Sequence, residues 1–109
     1  MPTTYKVLGQ VKPTAATDTT LYTVPASTQT VASTLNISNV TNDLTTIRIA
    51  VRPAGETIAD KHYLVYNNTI PGYSTAQFTI GITLGATDVV TVYDTAGKCS
   101  FNLFGSEIS

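Results

Sequence analysis

Few side chains in this 109-residue sequence are equipped for chemistry, and they stand apart from one another. His62, the sole histidine, lies in DKHYLVY. An imidazole acts as a general base only with a nucleophile or substrate proton in hydrogen-bond reach. No neighbouring motif supplies one, so His62 reads as a partly exposed strand residue. Ser74 in PGYST lacks the glycine frame of a nucleophile elbow. The seven acids, Asp18, Asp43, Glu56, Asp60, Asp88, Asp94 and Glu107, are scattered along the chain. Calcium loops cluster their acidic oxygens, glycosidases pair two carboxylates across one bond, and zinc takes several Cys or His ligands. No spacing here announces any of these, and no glycine run opens a helix to cradle a phosphate. The sequence is therefore expected to have no catalytic, cofactor-binding or metal-ligating residues and not to be an enzyme.

Other candidates have plain explanations. Cys99 has no partner for an internal disulfide. It shares parity with Phe101 and reads as a small buried apolar residue, while Lys98, which could favour a thiolate, falls on the opposite side. The sequons at Asn36, Asn39 and Asn67 follow from abundant threonine. Six tyrosines without a tryptophan allow a contact surface, since tyrosine joins apolar area to a polar tip. Alternation places Tyr63 and Tyr66 on opposite faces of KHYLVYN. At least one is then left outside the core, where it could meet a surface glycan.

Composition narrows the partners. Charged residues are 12% of the chain against 42% hydrophobic, with a formal net charge of −1. Such a chain gathers neither phosphates nor anionic lipid, so no nucleic acid and no membrane is expected as a partner. Scarce surface charge also leaves a monomer weakly protected against association, which points to burial in an assembly. The opening MPTTYKVLGQ lacks the basic head and apolar middle of a secretory signal, and no apolar run approaches the ~20 residues of a spanning helix. Intracellular synthesis is the expectation.

The elements that must position these residues are strands. β-branched residues pack well on a pleated surface, and alternation with period two marks a half-buried strand. In LTTIRIAVRP (44–53), Ile47, Ile49 and Val51 oppose Thr46, Arg48, Ala50 and Arg52. In QTVASTLNISNV, Val31, Leu35 and Ile37 oppose Thr34, Asn36 and Ser38. TAQFTIGITL places Phe78, Ile80, Ile82 and Leu84 together, and DVVTVYD does so with Val90 and Val92. In KCSFNLFGSEIS, Cys99, Phe101 and Leu103 oppose Ser100, Asn102 and Phe104. Turns are expected at Asn42-Asp43, Pro53–Gly55, Asn67-Asn68, Pro71-Gly72, Gly85–Asp88 and Thr95–Gly97, where Gly, Asn and Pro reverse the chain cheaply. The reading is all-β: a single antiparallel β-sandwich, jelly-roll or Ig-like, of about seven to eight strands. Residues 1–20 form an N-terminal strand and an extended arm or surface connection, and residues 21–109 the sandwich. Phe104 is left over for a neighbour or a second layer.

YKVLGQ, LYTVP (21–25), RIAVRPAG (48–55), KHYLVY (61–66), GITLGATDVVTVY (81–93) and SFNLFGSEI (100–108) together resemble a group of stand-alone virion structural proteins of tailed bacteriophages, including cyanophages. The similarity runs over almost the whole chain, through strand and turn motifs rather than catalytic signatures, and carries no functional residue with it. It implies a non-enzymatic piece of the virion, on the tail, baseplate or fibres, or on the head as a capsid decoration (cement) protein. Its partners would be copies of itself and other virion proteins.

Overall fold

The alternating stretches pair as strands in the computed structural model, which describes residues 3–109; positions 1 and 2 of the expected N-terminal segment lie outside the described residues. The strands are β1 (Thr3–Val11), β2 (Thr19–Thr23), β3 (Gln29–Asn39), β4 (Thr45–Arg52), β5 (Tyr63–Ile70), β6 (Thr75–Leu84), β7 (Val89–Asp94) and β8 (Cys99–Ile108). They form two four-stranded sheets ordered β1-β8-β3-β6 and β2-β7-β4-β5, with every pair antiparallel. The fold is thus an all-β sandwich, and of the two expected topologies the strand order is that of the eight-stranded jelly roll.

Each sheet is apolar on the face it turns to the other, so the two must stack to remove those faces from water. Leu35, Ile37, Phe101, Leu103 and Cys99 from the first sheet meet Ile47, Ile49, Val90 and Val92 from the second. β6, an edge strand, contributes Phe78, Ile80 and Ile82 as half-buried residues beside fully buried Leu84.

Bulges account for most departures from the expected alternation. On β3, Ala32 pairs with Gly105 and Thr34 with Phe104, so Ser33 is an extra residue with no partner on β8. One unpaired residue exchanges the faces of everything beyond it. Val31, expected inside with Leu35 and Ile37, therefore points outward at 36% exposure, while Thr30 and Ala32 are buried. β1 carries a matching extra residue at Leu8. β5 pairs Tyr63 with Ala50 and Val65 with Ile49, leaving Leu64 as a bulge. Tyr63 and Tyr66 thereby share a face, contrary to the expected opposition. Asn67-Asn68 is not a turn: β5 runs through to Ile70, and Asn67 takes a positive φ of 55° within a second irregularity opposite Arg48. Ala50, expected on the open face of β4, is buried as well. β8 runs past Gly105 to Ile108, between β1 and β3.

Residues 12–18 carry the chain from one sheet to the other across its own β7–β8 turn. The Ala16 N–H donates to the Asp94 carbonyl at 2.9 Å, and Lys12 Nζ donates to the Gly97 carbonyl at 2.7 Å.

Candidate functional site

His62 sits in a short 3₁₀ turn, Asp60–His62, just before β5, and is 5% exposed. This corrects the expectation of a partly exposed strand histidine. Nδ1 accepts the Ala59 N–H at 3.0 Å, and Nε2 lies 3.2 Å from Glu56 Oε1. Nδ1 must be unprotonated to accept, which leaves Nε2–H to donate to Glu56. Both nitrogens thus serve to hold the 56–62 loop, and neither is free to take a substrate proton.

Asp94, one of the scattered acids, is fully buried. It shares parity with Val90 and Val92, so β7 aims its carboxylate inward at the end of the sandwich. Oδ1 accepts from the Thr45 hydroxyl and from the N–H groups of Ala96 at 3.1 Å and Gly97 at 3.0 Å. Oδ2 accepts from the N–H groups of Lys98 at 2.9 Å and Cys99 at 2.7 Å. Burial alone would raise its pKa, but the Thr45 hydroxyl and these backbone donors hold it below the usual carboxylate range. The carboxylate organises the β7–β8 turn. The same environment pushes the buried Cys99 thiol up to about 12, chiefly by desolvation and then by the Asp94 charge, so Cys99 lacks thiolate character.

A second polar contact joins the sheets. Tyr22 of β2 donates its hydroxyl proton to Glu107 Oε2 of β8 and lies 2.8 Å from Thr30 Oγ1 of β3. Lys6 of β1 completes it, 3.3 Å from Glu107 Oε1. Desolvation, then the bond to Glu107, raises the Tyr22 phenol to about 12. The bond from Tyr22 lowers the Glu107 pKa against a smaller desolvation effect, aided by Lys6. Every group here is spent on a neighbour within the chain.

Two of the three sequon asparagines also have structural uses. Asn39 is buried, donating Nδ2 to the carbonyls of Asp43 at 2.7 Å and Ile70 at 3.2 Å while Oδ1 accepts from the Thr41 N–H and hydroxyl. Asn67 Oδ1 accepts from Arg48 Nε at 2.7 Å. Among the described residues, no three His, Cys, Asp or Glu side chains group as metal ligands, and no helix is long and apolar enough to cross a membrane.

Two outward surfaces gather large apolar or aromatic side chains around a depression. On the first sheet the bulges at Leu8 and Ser33 gather Tyr5 and Val7 of β1, Val31 of β3 and Phe104 of β8 around an open depression of ≈ 480 Å³. Tyr5 is 84% exposed and Phe104 37%. Three strands thus present large apolar groups to water side by side. Alternation anticipated Phe104, but Val31 joins it only through the bulge.

On the second sheet Arg48 of β4 lies directly opposite Tyr93 of β7 in register. Its guanidinium is 4.4 Å from the ring centroids of both Tyr93 and Tyr66, held between the two. Tyr66 in turn meets Tyr63 edge to face, with centroids 4.9 Å apart and planes at 80°. Tyr63, Tyr66 and Asp60 line an open depression of ≈ 420 Å³. The glycan reading singled out Tyr63 and Tyr66, which the structure brings together; Asp60, Arg48 and Tyr93 escaped it because their proximity depends on register.

Comparison with known proteins adds little. No family model matches the chain, and no curated protein matches it. Among solved structures, a chain in the structure of infectious bursal disease virus Gt strain is similar, with a TM-score of 0.47 and 12% identity over 97% of this chain. This chain spans 30% of the length of that one. A likeness at that level carries no argument about role.

Proposed function

We propose that this chain is a non-enzymatic structural protein of a tailed-phage virion that builds oligomeric contacts on the particle surface. The observation that carries the reading is the outward apolar face of Tyr5, Val7, Val31 and Phe104. Apolar side chains gathered into one exposed patch are a feature of interaction sites, and 12% charged residues do little to keep copies apart. The jelly roll is a recurrent capsid and lectin architecture, a fold-level analogy that agrees with the motif resemblance but assigns no role by itself. Other copies of the chain and neighbouring virion proteins are the partners such a face would meet. Placement on the tail, baseplate or fibres is the form we favour, with decoration of the capsid lattice the alternative.

Imaging of purified particles to side-chain resolution tests this. The reading expects repeated, symmetry-related copies of the sandwich, with Phe104 covered by a neighbour. Density confined to the capsid lattice would replace the tail by the capsid, and absence of the chain from the particle would overturn the virion role itself.

A further inference from the structure

The tyrosine corner of the second sheet is unexplained by oligomeric contacts on the first. Its aromatic members are braced by their neighbours. Arg48 is stacked against Tyr66 at 4.4 Å and is itself fixed by Tyr93 and by its bond to Asn67. Tyr66 is therefore an exposed ring with restricted freedom, 56% accessible to solvent. Tyr63 stands nearly perpendicular to it. Asp60 opens the 3₁₀ turn that His62 closes by accepting the Ala59 N–H and donating its own N–H to the Ala59 carbonyl at 3.0 Å. A site whose side chains are ordered before binding loses less freedom when a ligand arrives, and the ≈ 420 Å³ depression lies within the ~300–1,000 Å³ typical of ligand pockets.

We propose that this corner binds one pyranose ring of a neutral glycan, an inference independent of the virion reading. A pyranose presents an apolar C–H face and a rim of hydroxyls. Tyrosine rings offer apolar area with a hydroxyl at the tip, and an ionised carboxylate accepts hydroxyl protons in strong, short bonds. Two rings and one carboxylate around one depression match that pairing. The alternatives fit less well. A quaternary ammonium favours aromatic faces, but Arg48 already occupies the π cloud of Tyr66 and would repel a second cation across the ring. A phosphate or acidic sugar would meet the Asp60 charge in a chain of net charge −1.

The test uses the whole chain, isotopically labelled, titrated by NMR with maltohexaose, cellohexaose, mannohexaose and chitohexaose, and in separate arms with choline chloride and sialyllactose. At least one neutral hexaose is expected to shift the backbone resonances of Asp60, Tyr63 and Tyr66. Its dissociation constant should rise about tenfold or more in both Tyr66→Ala and Asp60→Asn, with Tyr66→Phe within about threefold of wild type because the stacking ring is retained. Asp60 is exposed, so Asp60→Asn keeps the fold and supplies a reading even if Tyr66→Ala loosens Arg48. Silence from all four hexaoses, shifts untouched by the substitutions, or a response to choline or sialyllactose alone would each overturn the proposal.

Discussion

Replacement of Asp94 by alanine is expected to cost about 3–4 kcal/mol of folding free energy and to lower the melting temperature by roughly 15–25 °C. The carboxylate accepts five hydrogen bonds, from Thr45 Oγ1 and from the N–H groups of Ala96, Gly97, Lys98 and Cys99. Alanine leaves the Ala96 N–H its bond to Thr45 Oγ1 and the Gly97 N–H its bond to the backbone carbonyl of position 94, both at 3.3 Å. The Thr45 hydroxyl and the N–H groups of Lys98 and Cys99 lose the acceptor, and each buried donor left without a partner costs about 1–3 kcal/mol unless water reaches it. Asp94→Asn is expected to do little better. An amide placed here keeps one oxygen and turns the other into an NH₂ group aimed at N–H groups. Chemical denaturation of the two variants beside wild type gives the comparison.

Asp94 also sets an acid limit. Its folded pKa lies below the unfolded value, so the folded state binds its proton later than the unfolded chain does. The stabilisation is complete above the unfolded pKa and fades as pH falls toward and through the folded one. Wild type should lose stability in that window. Asp94→Asn, with no titrating group there, should show a flatter acid limb, Glu107 supplying what slope remains through its own lowered pKa.

Gly105→Ala is the second large effect. A Cβ at Gly105 would lie 2.1 Å from the Val31 carbonyl oxygen, 2.9 Å from Ala32 Cα and 3.0 Å from Leu8 Cδ1. The first two contacts are backbone of β3, which cannot swing aside as a side chain could. The glycine is required at the level where the bulges at Ser33 and Leu8 flank β8 on both sides. Added volume in a packed site costs about 1–3 kcal/mol. Here the upper end is expected, with hydrogen exchange accelerated over Ser106–Ile108 as β8 separates from β3. Gly85→Ala is the control: its Cβ would meet nothing nearer than Asp88 Oδ2 at 3.8 Å, so a change within about 0.5 kcal/mol is expected.

These two residues also show what the sequence discloses. The all-β class follows from alternation in β4, β6, β7 and β8, because one face of each must be buried. Asp94 was legible in principle: it continues the inward parity of Val90 and Val92, and an Asp ahead of Thr-Ala-Gly is a turn-forming residue. Gly105 was not, since a close approach between strands is a property of register. The same holds for the two surfaces. Val31 reaches the outward face because Ser33 is left unpaired, and Tyr63 joins Tyr66 because Leu64 is, yet neither bulge interrupts the β-forming composition around it. Strand pairing decides where the extra residue goes, and pairing partners such as Val31 and Ser106 are separated by most of the chain. Local pattern therefore reads which residues form strands better than which face each presents.

Sedimentation velocity from low to high micromolar protein, with wild type beside Phe104→Lys, tests most directly whether the outward face of the first sheet is an assembly contact. Wild type is predicted to shift with concentration into a discrete oligomer. Phe104→Lys is predicted to remain monomeric while keeping the same circular dichroism and melting temperature. A wild-type monomer across the whole range, or an oligomer indifferent to the lysine, would contradict the account.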